Sequence, residues 1–293
     1  MKRFFIDECP DHIEPWEWLA ESSRFNTFKT LAKPKREFPD ILAFKIRDWN
    51  PGAMRSSIES ALKIYGDHGW QSSSGRDLKY TGFSLVYNPN HQDGIDPNAS
   101  TLGTPKNSPK EFFWGSTQNH DVIKNSYFDT LGFTKPTPAS QHGYLGEFMT
   151  RCLRQRVRSR VSVVHGERHD PATKDTWGWH KDEIIWQNLR INIPVTTSDV
   201  MKFQFENKEP VHLDVGRAYS FDSYVPHRVF SAAQDDCKRI HLVLGFSPWF
   251  DYDETERCWY PNRYFGRKHP FDMLIDGEIF EGLEYDEAKS FRL

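Results

Sequence analysis

Trp177-Gly-Trp-His-Lys-Asp182 opens the stretch, ending at Phe246, around which this chain is organised. His180 and Asp182 are two apart, so on an extended strand both side chains leave one face and can converge on a point in front of it. The sequel strengthens that spacing. Arg190-Ile-Asn-Ile-Pro-Val195 reads as a strand, a second histidine follows in Val225-Pro-His227-Arg-Val-Phe230, and Lys238-Arg-Ile-His-Leu-Val-Leu-Gly-Phe246 reads as another strand.

Short strands are expected at 189–195, 202–206, about 217–222, 227–231 and 239–246, separated by turn signals such as Thr-Thr-Ser-Asp and Asn-Lys-Glu-Pro. Closely spaced strands with no helix between them indicate a β-sandwich or barrel, and the jelly roll is the natural choice. Their parity is informative. Arg190, Asn192 and Pro194 share one face opposite Leu189, Ile191, Ile193 and Val195, while Arg239, His241 and Val243 oppose Ile240, Leu242 and Leu244. Polar side chains therefore line one side of otherwise apolar strands.

Two imidazoles and one carboxylate with positions left open make the facial triad of non-heme Fe(II) oxygenases. The order His-x-Asp, Arg-Ile-Asn-Ile-Pro, Pro-His-Arg-Val-Phe and Arg-Ile-His-Leu-Val-Leu resembles the 2-oxoglutarate and Fe(II)-dependent oxygenases of the cupin/jelly-roll superfamily. It is most similar to their aspartyl/asparaginyl β-hydroxylase branch, which includes hydroxylases of free amino acids such as proline. The resemblance extends upstream to Arg160-Val-Ser-Val-Val-His165, covers roughly the last half of the chain, and has no counterpart before about residue 150.

The resemblance implies Fe(II) on His180, Asp182 and His227, with 2-oxoglutarate and O2 as co-substrates. It places the far carboxylate of 2-oxoglutarate on Arg239, twelve positions after His227, and on Ser162. A planar guanidinium fork suits a carboxylate better than an ammonium point charge does. Asn192 stands where the branch often has His, so the contact to the iron-side carboxylate differs. Arg190 fits the branch's Arg, and either the co-substrate or the substrate's own carboxylate could be its partner. Arg160, Arg190 and Trp179 are the candidates on the substrate side. The implied reaction hydroxylates an unactivated C–H bond of an amino acid, free or peptidyl, or a related anionic small molecule, releasing succinate and CO2. The alternatives are an oxygenase of another small molecule or a nucleobase, or a non-catalytic metal-binding cupin; an intact triad together with Arg239 argues against the last.

At 293 residues, with 22 Phe, 11 Tyr and 10 Trp, the chain can close a substantial core and line a pocket with aromatic rings. A single domain is expected: a mixed extension over 1–155, a jelly-roll catalytic core over 156–250 and a tail over 251–293 packing on it. The net charge of -3 gives no global ground for attraction to nucleic acid or membranes. Cys9, Cys152, Cys237 and Cys258 are widely spaced and form no Cys-x-x-Cys pair, which reads as buried thiols in a reducing compartment. No apolar run approaches a membrane span, so a cytoplasmic protein is expected, with oligomeric state left open.

Upstream, Ser56 and Glu59 form a capping-box pattern for a helix over 56–65 with Ile58, Ala61, Leu62 and Tyr65 on one face. Tyr80–Tyr87 reads as a strand, and a four-residue recurrence predicts a helix from Tyr144 to about Leu153. Residues 88–124, rich in Asn, Gly, Pro, Ser and Asp around Phe112, Phe113 and Trp114, form a long loop that is either a lid or a pinned surface excursion. In the strand expected over 156–165, Arg156, Arg158, Arg160 and Ser162 share a face. Arg160 then points into or near the mouth of the barrel; otherwise the arginines lie beyond its end and meet solvent or acidic side chains. His165 precedes a polar loop that carries His169, and both are left out of the ligand set, because the triad is complete without them.

Overall fold

The computed structural model describes residues 32–68, 80–87, 133–165, 179–233, 238–255 and 258–293. In chain order its elements are β1 (Ile41–Ile46), α1 (Pro51–Tyr65), β2 (Tyr80–Ser84), β3 (Val86–Tyr87), β4 (Lys135–Pro136), α2 (Gly143–Met149), β5 (Arg160–His165), β6 (Leu189–Thr196), β7 (Met201–Phe205), β8 (Arg217–Phe221), β9 (His227–Ser231), β10 (Lys238–Phe246), β11 (Phe250–Asp253), β12 (Cys258–Pro261), α3 (Pro270–Ile275) and β13 (Leu283–Tyr285). Among the described residues the protein is mainly β, with few helices and antiparallel pairing throughout its larger sheet.

That sheet has seven strands in the order β13-β1-β8-β6-β10-β5-β2. The smaller layer is the β7–β9 pair, extended by a bridge from His180 to His227 on one side and from Phe203 to Val211 on the other. Period-two alternation decides what each face of the large sheet meets. On one face Val161, Val163, Ile191, Ile193, Ile240, Leu242 and Leu244 are buried in the main core together with Met54, Ile58 and Ala61 of α1 and Leu145 and Phe148 of α2. Burying each such side chain stabilises by about 1.5–3 kcal/mol, so this face anchors the sheet. The opposite face turns toward β7 and β9, where Tyr219 and Phe221 pack with Phe203, Phe205 and Leu213.

Several boundaries differ from expectation. Helix α1 starts at Pro51, because Asn50 Oδ1 accepts from Ala53 N at 3.0 Å and Pro51 occupies the first turn, where its missing N–H costs nothing. Glu59 accordingly lies mid-helix and pairs with Arg55 at 2.8 Å. Helix α2 stops at Met149; beyond it Cys152 bridges Phe280 and Leu153 N donates to Ile279 O, which leaves the Leu153 side chain exposed. The strand expected from 156 begins at Arg160, since Arg158 has φ +40 and interrupts the extended run. Just before that break Val157 N reaches Gly245 O at 2.8 Å. A Cβ on Gly245 would lie 2.2 Å from Val157 O and 2.4 Å from Asn188 Oδ1, so this approach requires glycine.

After β10, the β11–β12 hairpin and α3 lead to β13, which pairs with β1. Trp249, fully buried, donates its Nε1–H to Lys268 O at 2.8 Å and ties this segment to the core. The 88–124 loop and the polar run that carries His169 lie outside the described residues. No helix among the described residues is long and apolar enough to cross a membrane.

Candidate metal centre

His180 and His227 are 47 positions apart yet directly opposed across a bridge, each donating its backbone N–H to the other's carbonyl at 3.0 Å. Their ring centroids are consequently 4.5 Å apart. Asp182 follows two residues later with its N–H on Ser223 O at 2.8 Å, so its side chain comes to the same place. The three ligand atoms lie within 4.8 Å of one another, and the group could hold a metal ion. Asp182 Oδ2 is 3.5 Å from His227 Nε2 and 3.9 Å from His180 Nε2. His227 Nδ1 meets Val225 O at 2.8 Å; a carbonyl only accepts, so Nδ1 carries the proton and Nε2 presents its lone pair to the centre. Phe203 and Phe221, with centroids 5.6 and 5.3 Å from that imidazole, hold the ring in place.

Behind the triad lies a buried charge cluster. Arg190 donates from Nη1 to Asp182 Oδ2 and from Nη2 to Glu183 Oε2. Glu183 also accepts from Arg158 Nη1 and from Asn188 Nδ2, each at 3.2 Å. Burial pushes both carboxyls up, but Arg190 leads a larger opposing pull that leaves both below the ordinary carboxylate range, Asp182 well below it. Arg190 thus holds two carboxylates of the chain itself, where the sequence suggested a co-substrate or substrate carboxylate. Arg158 adopts its left-handed backbone conformation while 1% exposed, at a cost of about 1–3 kcal/mol. Arg158 was grouped with the other arginines of its strand, for which acidic side chains were one expected partner, but Glu183 was not singled out from sequence. The only hint was that Glu183 directly follows Asp182.

Arg239 sits at the other end of the same cavity, on β10 opposite Val164, and is 6% exposed. No carboxylate of the described residues lies within ion-pair reach of it, and burial pulls its guanidinium down to about 9. Its Nη2 is 3.2 Å from His241 Nδ1. Burial first, and then Arg239 and His212, hold His241 well below the ordinary histidine range, so it is neutral. Since Nδ1 accepts from Arg239, Nε2 bears the proton, and this buried donor has no hydrogen-bond partner among the described residues. Asn192 Nδ2 is likewise without one. Ser162 faces His241 across the β5–β10 ladder and lines the cavity too.

Arg160 lines the cavity as well, 8% exposed, so neither it nor Arg158 extends into solvent. Trp179 does not join it. Adjacent positions of a strand point to opposite faces, so with His180 turned inward the Trp179 ring is turned out. It is 41% exposed and carries the Arg228 guanidinium 4.5 Å from its centroid.

No family model matches the chain, and no curated protein does. Among solved structures, IDO from Bacillus thuringiensis aligns with a TM-score of 0.25 and 15% identity, over 67% of this chain and 84% of that one. At that score the likeness carries no weight for fold or chemistry, and what this chain can be said to contain is a β-rich scaffold with a His-Asp-His group able to bind a metal ion.

Proposed function

We propose that this protein is an Fe(II)- and 2-oxoglutarate-dependent oxygenase that hydroxylates an unactivated C–H bond of an amino acid, free or peptidyl, or of a related anionic small molecule. The observation that carries the reading is Arg239: a guanidinium 6% exposed, without a carboxylate partner among the described residues, in the cavity that holds His180, Asp182 and His227. Buried charges are paired or cost several kcal/mol, so a cavity built this way is complementary to an anion from outside. A metal-binding module without a co-substrate has no use for it.

The donor set fits ferrous iron. Two imidazole nitrogens and one carboxylate with positions left open are its facial arrangement, and the proton on His227 Nδ1 leaves the correct nitrogen free. Iron bound there would supply the site where 2-oxoglutarate and O2 react, giving succinate and CO2 and transferring one oxygen atom to the substrate. The chain's own residues bind and orient. Arg239, the Nε2–H of His241 and Ser162 are placed to receive the far carboxylate of 2-oxoglutarate, and Asn192 Nδ2 offers a further donor. Phe203, Phe221 and Val229 exclude water from the triad side. Arg160 lines the same cavity and is the candidate contact to an anionic substrate.

The order of the strand segments supports reading the core as a jelly roll. Along the chain β5, β6, β8 and β10 fall in the large sheet, while the His180 bridge, β7, the Val211 bridge and β9 fall in the smaller layer. The chain thus winds back and forth between two layers around the cavity. The test is anaerobic loading with Fe(II) and 2-oxoglutarate, addition of a metabolite pool and air, and mass spectrometry. Succinate together with a product heavier by one oxygen is expected; no succinate from wild type under any substrate condition would overturn the proposal.

A further inference from the structure

We propose that Glu183 is a positioning residue for the metal centre, aiming the Asp182 carboxylate by holding the guanidinium that grips it. The inference rests on the metal-binding reading of the triad and goes beyond it. Arg190 is a planar fork with one nitrogen on Asp182 Oδ2 and the other on Glu183 Oε2, so fixing Glu183 fixes the plane in which Asp182 is held. Glu183 is itself fixed from three sides. Arg158 Nη1 and Asn188 Nδ2 donate to its carboxylate at 3.2 Å each, and Ser223 Oγ donates to its carbonyl at 2.7 Å. The same serine accepts the Asp182 N–H through its own carbonyl at 2.8 Å, tying the backbone of both acids to one point.

Charge supplies the second half of the inference. Arg158 and Arg190 face Asp182 and Glu183, two cations against two anions, with side chains between 1% and 13% exposed. Because Arg190 is shared, Asp182 keeps electron density to give to a dication. Remove the negative charge at 183 and the whole of Arg190 falls on Asp182, beside the position a metal ion would take. Hydrogen-bond partners of metal-ligating groups typically contribute about 10–100-fold to metal affinity, and that is the effect expected here.

The experiment is titration of the full chain with Mn(II) alone, which needs neither turnover nor O2, read by electron paramagnetic resonance. Glu183→Gln keeps the shape and removes the charge, and it should weaken Mn(II) binding about 10–100-fold. As that change leaves one buried cation in excess, Arg158→Met with Glu183→Gln restores neutrality and guards against a variant that does not fold. The double variant should still bind weakly, because Arg190 still lacks its second negative charge and falls on Asp182 alone; a purely structural role for Glu183 would return it to wild-type affinity. Wild-type Mn(II) affinity in the folded single or double variant, with binding lost in His180→Ala, would overturn the role of Glu183 alone. Wild type that binds no Mn(II), or binds it unchanged in His180→Ala, would overturn the metal centre and this inference with it.

Discussion

Arg190 and Arg239 stand at opposite ends of one cavity, 4% and 6% exposed, and differ in what they meet. Arg190 grips two carboxylates of its own chain, and with Arg158 two cations meet two anions among the described residues. Arg239 has a neutral imidazole beside it and no carboxylate among the described residues. One end is therefore complete as folded, and the other is complete only when an anion arrives. The contrast separates scaffold from binding site more sharply than burial does, since burial is nearly the same.

The contrast breaks outright if the two arginines are not grouped around a metal, so the largest effect is expected from the triad. His227→Ala or His180→Ala should abolish Fe(II)-dependent turnover of 2-oxoglutarate while the protein stays folded on its aliphatic core; succinate assays and circular dichroism check both halves. Next, the two arginines should differ in stability. Arg190→Met leaves two buried carboxylates short of a cation and should destabilise by about 3–5 kcal/mol, whereas Arg239→Met removes an unpaired buried charge and should be neutral or stabilising. Urea unfolding of the two variants side by side measures this, and equal losses would erase the distinction.

The pH dependence sharpens it. Asp182 and Glu183 are held below their ordinary values of 3.8 and 4.5 in the folded protein, so the stability they contribute is complete above that range. It is lost as pH falls through their lower folded values. Without Arg190, burial raises the same carboxyls in the variant, so the gap between wild type and Arg190→Met should be widest where both carboxyls are ionised in both proteins and close steadily on acidification; a gap independent of pH down to acid unfolding would place the stabilisation elsewhere. The smallest effect belongs to Ser162→Ala, where one hydrogen bond to a charged acceptor, about 1.5–3 kcal/mol, predicts roughly a ten- to hundredfold higher 2-oxoglutarate requirement.

Much of this was legible in the sequence, and the reasons are local. His180 and Asp182 follow the strand period, and the same period put Arg190, Asn192, Arg239 and His241 on the cavity face. Their placement needed nothing beyond alternation. The partner of Arg190 was not legible, because alternation places Glu183 on the face opposite Asp182. Only the turn at Ile185–Gln187, together with Ser223 reaching across from another segment, brings both acids to one guanidinium. Arg158 was grouped with Arg160 by parity, but its positive φ breaks that parity and sends it to Glu183. Likewise the start of α1 went to Ser56 and Glu59, although Asn50-Pro51 carries the stronger signal; a side-chain cap and a proline in the first turn decided it. Trp179 was drawn in by its nearness to His180 in sequence, where odd spacing on a strand means the opposite face.

The central claim is that the Arg239 end of the cavity is built for the carboxylate of 2-oxoglutarate. Isothermal titration of 2-oxoglutarate into Fe(II)-loaded protein under anaerobic conditions tests it directly, with wild type, Arg239→Met and Arg239→Lys compared. Loss of one partner of a buried charge pair costs about 3–5 kcal/mol, so Arg239→Met should bind at least about a hundredfold more weakly with Fe(II) affinity nearly intact. Arg239→Lys should fall between, keeping the charge and losing the fork. Wild-type affinity in Arg239→Met would contradict the account, because a buried guanidinium with no carboxylate partner among the described residues would then be open for something else.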